Sequence, residues 1–563
     1  LDKAFDYLVP DHWSEPVEVG TRVRISLQGR RVGGWVVAVD VEPPPGVALR
    51  PLAKHSGRGP SADVVDLARW VAHRWHGRWS AVLATASPQR VVTPSGPAVG
   101  PEDRRLPAPL DDRAVEAVGA PGVTVVRLAP TADPFPYALA AARLGDALVV
   151  VPSLSGAHRL AGTLGRAGGR AALLPRDWAM AAQGGSAVFG ARSAALGPVD
   201  RLGAVVVVDE HDEALQEERN PTWHARDVAV ERARRAGVPC VLVSAAPSLA
   251  ALAIADRVLV PARAEERAGW PIVDVVDRRR EEPGRAGLLS SRLADAARRA
   301  ERVVCVLNRK GRSRLLACAS CGELVRTEDG AHLMVETGGA LVSPVTGERR
   351  PLVCAVCSGA ALRRLRLGVD RVRDELEALL REPVCEITGD AVVGDPGARV
   401  VVGTEAVLHR AGRADLVAFL DFDQELLAPR YRAAEQAMAL LVRAARLAGP
   451  RSGGGRVLVQ TRTPSHRVLD AAVRADPGRL AAAEEVVRRA LGFPPHGALA
   501  ELSGPGAAEL ADRLAGGSGL TVLGPRHGRF LVRAPDPAHL ADALAATSRP
   551  PARVRVAVDP PRA

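Results

Sequence analysis

Ala204-Val205-Val206-Val207-Val208-Asp209-Glu210-His211-Asp212 decides how this chain is read. Four consecutive valines after an alanine predict a strand buried on both faces, as in parallel sheets. The acids that follow fall at its carboxyl end, where α/β proteins place their ligands. In an ATP-driven motor an acid here holds the magnesium that bridges the nucleotide phosphates. That role needs a phosphate-binding loop, G-x-x-x-x-G-K-[ST], whose glycines let backbone amides close around the phosphates. The chain has three lysines, Lys3, Lys54 and Lys310, and none follows a glycine. The expected place for the loop lies between the apolar run Val123–Val126 and a helix beginning near Tyr137. It reads Ala129-Pro130-Thr131-Ala132-Asp133-Pro134-Phe135-Pro136. Three prolines remove three amide donors, and Asp133 adds a negative charge where phosphates would lie.

Outward from this stretch, apolar runs alternate with Ala/Leu-rich segments: Ala147–Val151, Ala187–Phe189, Ala204–Val208 and Cys240–Val243. Such alternation predicts a doubly wound parallel sheet over 121–263. A second set (303–307, 399–402, 416–420 and 456–459) predicts another lobe over 264–470, interrupted by a cysteine module at 318–360. Residues 1–90 read as a small β-rich domain, with alternating runs at 5–9, 22–25 and 34–39 and a helix capped by Ser61. Residues 91–120 read as a Pro/Gly-rich linker, and 471–563 as a small α+β domain. The fold class is α/β.

Cys318, Cys321, Cys354 and Cys357 form two C-x-x-C knuckles separated by 32 residues. This spacing is that of a four-thiolate zinc site. With every position filled by cysteine the site is closed, so one structural zinc ion is expected and no Lewis-acid catalysis. Cys240, Cys305 and Cys385 stand alone in apolar runs and are expected in the core.

The formal net charge of +11 favours a polyanionic partner, nucleic acid over membrane, because no basic amphipathic helix stands out. All but three of the 75 basic residues are arginine, which also fits a GC-rich coding sequence. No run of 18 apolar residues or secretory signal appears, so a cytoplasmic, nucleoid-associated protein is expected. The chain begins at Leu1 rather than Met, so its start is expected to be trimmed or misassigned. Five of the eight tryptophans lie in the first 79 residues beside Arg22, Arg24, Arg30 and Arg31. Trp70 and Trp75 read as core, whereas Phe5, Asp6 and Tyr7 are candidates for a base-stacking pocket.

Taken together these motifs resemble the PriA family of replication-restart helicases over nearly the whole chain. Phe5-Asp6-Tyr7-Leu8-Val9-Pro10 is similar to the opening motif of the family's 3′-DNA-binding domain. Gly190-Ala191-Arg192-Ser193-Ala194, Val208-Asp209-Glu210-His211-Asp212 and His224-Ala225-Arg226-Asp227 follow in family order. So do Leu307-Asn308-Arg309-Lys310-Gly311, Gly403-Thr404, Leu420-Asp421-Phe422-Asp423, Arg432-Ala433-Ala434-Glu435 and Val558-Asp559-Pro560. The resemblance implies two RecA-like lobes, an inserted zinc ribbon, and a pocket for a DNA 3′ end at Phe5, Asp6, Tyr7, Gly29 and Arg50.

The departures from the family pattern are as telling. Its phosphate loop is replaced by the proline-rich turn, and its S-A-T-P motif by Ser244-Ala245-Ala246-Pro247. Both arginine-finger positions have become Leu447 and Pro450. Losing one such arginine costs about 10³- to 10⁵-fold in phosphoryl transfer. The short stretch 91–120 leaves no room for the family's winged helix, and its second cysteine quartet is missing. Asp209, Glu210 and His211 are therefore expected to be Walker B-like relics, with no catalytic or nucleotide-binding residues and no ATP or magnesium. The implied role is to bind branched or single-stranded DNA at abandoned forks and to help replisome-loading proteins, without helicase activity. The alternatives are an ATP-dependent 3′–5′ helicase with an unconventional nucleotide site, and an adaptor that binds no DNA. A metal-dependent nuclease built on the acids around His211 is a more remote reading.

Overall fold

The valine run lies in the strand Leu202–Val208, and its alternation shows why the sheet is buried twice over. Val205 and Val207 join one apolar cluster with Trp75, Leu215 and Trp223; Val206 and Val208 join another with Tyr137, Ala138 and Leu160. Burying a valine side chain contributes about 1.5–3 kcal/mol. A charged residue anywhere in the run would therefore disrupt one core or the other.

The structure is a computed structural model that describes residues 3–43, 46, 48–92, 106, 111–280, 288–307, 315–330, 332–343, 346–365, 369–389 and 391–561. The motif residues Asn308, Arg309, Lys310 and Gly311 and most of 91–110 lie outside this set. Two compact units emerge, one from residues 1–128, 133–260 and 484–563, the other from 129–132 and 261–483.

In the first unit a seven-stranded sheet runs Arg257–Leu259, Gly122–Arg127, Pro239–Ser244, Leu202–Val208, Asp146–Val150, Ala187–Gly190, Ala171–Leu173. Every neighbouring pair is parallel. The order brings the carboxyl ends of Gly122–Arg127, Pro239–Ser244 and Leu202–Val208 side by side. Two short strands, Ala171–Leu173 and Arg257–Leu259, are too brief to show a pattern in the sequence. The helices Ala62–Arg74 and Trp79–Ala86 share the core of the Val205 face, as does the C-terminal sheet. That sheet is antiparallel, ordered Thr521–Arg526, Arg529–Ala534, Ala498–Ser503, Arg555–Val558. It is fastened by polar contacts: Arg74 to Asp559 at 2.7 Å, Thr222 Oγ1 to the Val558 carbonyl at 2.7 Å, and Asn220 Nδ2 to the Val556 carbonyl at 2.7 Å. The stretch read as a linker includes the helix Asp112–Ala117, capped by the Asp111 carboxylate, with Ala114 and Ala117 buried.

The N-terminal sheet differs from the sequence expectation in one register. The strand expected at 34–39 lies at Arg30–Trp35 and pairs antiparallel with Arg22–Leu27. Gln28 and Gly29, both at positive φ, make the tight turn between them and so set the pairing. Ser61 occupies the N-cap position of the helix Ala62–Arg74, but its side chain makes no capping bond.

In the second unit the sheet runs Ile272–Asp277, Arg456–Thr461, Leu416–Phe419, Val303–Val306, Val400–Gly403, Val384–Ile387, Val392–Val393. It is parallel except for the last hairpin. The cysteine module has sheets and a core of its own. Leu315–Cys318 pairs with Leu362–Leu365, a three-stranded sheet spans 335–350, and Leu316, Val325, Met334 and Leu341 form the core. The α/β reading, with two parallel-sheet lobes and an inserted ribbon, is the architecture observed. Cys240, Cys305 and Cys385 are buried, and burial pushes the first two thiols up to about 12. Among the described residues no helix is long and apolar enough to cross a membrane.

Candidate functional site

The acids after Leu202–Val208 do not behave alike. The chain turns at Asp209 through a positive φ of 54°, which directs Glu210 inward. The Glu210 carboxylate is fully buried and accepts three hydrogen bonds. Ser248 N–H donates to Oε1 at 2.7 Å, Ser248 Oγ to Oε2 at 2.8 Å, and Arg226 Nη1 to Oε2 at 3.3 Å. Arg226, itself buried, also donates to Asp227 Oδ1 at 2.7 Å. Burial opposes the Arg226 charge, but Asp227 and Glu210 outweigh it and raise its pKa. Burial likewise opposes the Asp227 charge, and Arg226 and His224 overcome it, holding the carboxyl down at about 2. A buried charge is tolerated only when paired in this way.

His211 Nδ1 lies 2.7 Å from Ser244 Oγ, which also accepts from the Ala246 amide at 3.1 Å. Asp212 caps the short helical turn Glu213–Leu215 through the Ala214 amide. Arg192, in the motif Gly190–Ala194, ties the same loop down by donating to the carbonyls of Ala214 and Gln216 and to Glu217. The partner the sequence reading missed is Ser248. It belongs to no motif, and only the adjacency of two strands brings it to Glu210. Arg226 does stand within a motif, but the motif does not say what it pairs with.

The proline-rich turn satisfies its own amides. Ala132 N–H donates to the Ala129 carbonyl, Tyr137 N–H to the Pro134 carbonyl, and Phe135 N–H to Asp133 Oδ1 at 3.0 Å. The Asp133 carboxylate thus sits on the first turn of the helix Phe135–Leu144, where such a helix end otherwise attracts an anion. Within the second unit, to which 129–132 belong, Thr131 Oγ1 donates to the Gly269 carbonyl at 2.8 Å and Arg446 Nε to the Pro130 carbonyl at 3.0 Å. Leu447 lies in the last turn of the helix Ala433–Ala448, and its carbonyl accepts from Ala414 N–H.

The four cysteines of the ribbon converge. Their sulfurs all lie within 4.8 Å of one another, with Cys318 to Cys357 at 3.4 Å and Cys321 to Cys354 at 3.6 Å. Tetrahedral zinc with bonds of about 2.3 Å sets its sulfurs about 3.8 Å apart, close to this spacing. Gly322 takes a φ of +75° in the first knuckle. At Gly359 a Cβ would stand 3.3 Å from the sulfurs of both Cys318 and Cys357. The four cysteines are placed to hold one metal ion.

At the N-terminus the short strand Tyr7–Leu8 pairs in parallel with Arg50–Pro51, with Tyr7 opposite Arg50. The Tyr7 hydroxyl donates to the Ser26 carbonyl at 3.2 Å, near the Gln28-Gly29 turn. Phe5 and Asp6 are exposed beside it. The structure therefore pairs Tyr7 with Arg50 and sets the Tyr7 hydroxyl against the strand end that leads into Gly29.

Comparison with known proteins converges on one family. Residues 1–88 match the model of the PriA 3′DNA-binding domain. The probable replication restart protein PriA of Mycobacterium bovis is 30% identical over 566 residues, covering 90% of this chain and 85% of its own. The replication restart protein PriA of Treponema pallidum is 32% identical over 334 residues, covering 55% of this chain and 50% of its own. That of Bacillus subtilis is 28% identical over 338 residues, covering 55% and 42%. With the mycobacterial likeness extending over most of both chains, this chain belongs to the PriA family of replication restart proteins.

Proposed function

We infer that this chain binds DNA at abandoned replication forks, takes the free 3′ end at its N-terminal domain, and helps reload the replisome without unwinding DNA itself. The observation that carries the reading is the turn at 129–136. Three of its residues lack an amide proton, two further amides are bonded to its own carbonyl and carboxylate groups, and Asp133 fills the helix end. A nucleotide's phosphates have few donors to meet there and a fixed negative charge to displace. Glu210, committed to Ser248 and Arg226, is a structural acid in this reading rather than a base that activates water.

Zinc is the metal that a closed set of four thiolates favours, and its task is to hold the ribbon. Phe5, Asp6, Tyr7, Gly29 and Arg50 would form the 3′-end pocket. Tyr7, held by Ser26, orients the strand, and Asp6 offers an acceptor to a terminal sugar hydroxyl.

The test is ATP hydrolysis and strand separation by the full chain on fork DNA, alongside binding to forks ending in a 3′ hydroxyl or a 3′ phosphate. The expected result is no turnover above background and tighter binding of the hydroxyl-ended fork. DNA-stimulated turnover abolished by Asp209→Ala would overturn the scaffold reading, and equal binding of both forks would overturn the 3′-end assignment.

A further inference from the structure

One face of the N-terminal three-stranded sheet has no part in the 3′-end pocket. Its register sets Arg24 opposite Gly33 on one neighbour and opposite Lys54 on the other, and Ser26 opposite Arg31. Register partners share a face, so Arg24, Arg31 and Lys54 stand on one side. Val23, Ile25 and Leu27 occupy the other side, none of them fully exposed. All three cations are exposed, and among the described residues none of them has a carboxylate partner. Like charges in direct register, as in Arg24 and Lys54, repel one another and gain from a bound anion.

Gly33 is the second, independent observation. Its φ is not in the left-handed region, and a Cβ added there would meet no atom within 4 Å. Nothing inside the protein requires glycine at this point. A glycine in a strand interior weakens the strand and often marks a bulge, a bend, or a place where a ligand or another backbone approaches closely; Gly33 is the one that lies on the face of the three cations.

The ends of the face are defined. Arg22 donates to the Pro88 carbonyl at 3.0 Å and Trp35 Nε1 to Ser87 Oγ at 2.8 Å, closing one end. At the other, Tyr7 of the candidate pocket touches the Ser26 carbonyl. The open rungs between them carry no aromatic ring, so they offer no base stacking and suit phosphates instead.

We propose that Arg24, Arg31 and Lys54, set around the bare backbone of Gly33, seat the phosphate backbone of duplex DNA behind the 3′ end. The proposal rests on the fork-binding reading above and adds to it a site with no role in recognising the end itself.

The experiment titrates the full chain with blunt duplex DNA at several salt concentrations, comparing wild type, the triple variant Arg24→Ala/Arg31→Ala/Lys54→Ala, and Gly33→Leu. Forks ending in a 3′ hydroxyl or a 3′ phosphate are measured in parallel. Each phosphate left without its cation lowers the slope of log K against log salt by about 0.9, so the slope of the triple variant is expected to fall by about 2–3. Gly33→Leu, whose Cβ would meet no atom of the protein within 4 Å, is expected to melt like wild type yet bind duplex several-fold more weakly. An unchanged slope in a folded triple variant, or unchanged duplex binding by Gly33→Leu, overturns the seat whatever the 3′-end preference. A reduced slope with equal binding of both forks keeps the seat and defeats the 3′-end reading instead. Polyglutamate binding as tightly as duplex and with the same salt slope would also overturn it, by showing a general polyanion surface.

Discussion

Replacing Glu210 by glutamine separates a structural acid from a catalytic one. The side chain is fully buried and its two oxygens take three donors, two from Ser248 and one from Arg226. Glutamine keeps the shape but removes the charge and turns an NH₂ group toward groups that are already donors. Arg226 is left with Asp227 as its remaining charged partner. Breaking a buried charge pair from one side costs about 3–5 kcal/mol. For a unit this large each kcal/mol moves the melting temperature by about 2 °C, so the transition of the first unit should fall by roughly 6–10 °C. The assay is differential scanning calorimetry of Glu210→Gln, Ser248→Ala and the double variant, with ATP hydrolysis measured on the same samples. Both single variants should destabilise, and the double should cost less than their sum because the two share one network. A Glu210→Gln protein that melts like wild type but loses a measurable DNA-stimulated ATPase would refute the reasoning, since the carboxylate would then serve chemistry.

Other expectations follow from the same geometry. His76 sits at a φ of +46° with Arg549 Nε donating to its Nε2 at 3.3 Å; burial, then the charges of Arg549 and His73, lower its pKa from 6.5 to about 4. Because the folded state disfavours its proton, this contribution to stability is full above about pH 6.5 and is lost as pH falls toward 4. Denaturant titrations across that range should show the loss, and His76→Asn, which tolerates the positive φ, should remove it. Metal analysis should find one zinc per chain, and Cys354→Ser should abolish it while leaving the parallel-sheet circular dichroism intact; two ions per chain would contradict the single-site reading. Arg74→Ala removes the ion pair to Asp559 and the stacking of the guanidinium 4.8 Å from the Trp75 ring. It should destabilise the first unit by about 1–3 kcal/mol in urea unfolding, and an unchanged midpoint would show that the ion pair and the stacking contribute nothing.

The sequence by itself determined the features that are local in the chain. A run of valines can be buried on both sides only between two layers, so the parallel strand at 202–208 was legible. Two C-x-x-C pairs fixed the four sulfurs that meet, because each knuckle presents both of its thiols to one point. Proline has no amide proton whatever its surroundings, so the loss of three amide donors from the turn at 129–136 could also be read there. What the tertiary structure alone decided is where each polar group finds its partner. Glu210 meets Ser248 because Leu202–Val208 and Pro239–Ser244 lie side by side, and strand order is not written in hydrophobic periodicity. The shift of the third N-terminal run to Arg30–Trp35 has a different cause, since the tight turn at Gln28 and Gly29 outweighed the alternation of 34–39. Arg24, Arg31 and Lys54 are scattered in the chain and become neighbours only through pairing register, because a strand shows which of its residues share a face but not which residues of another strand will stand opposite.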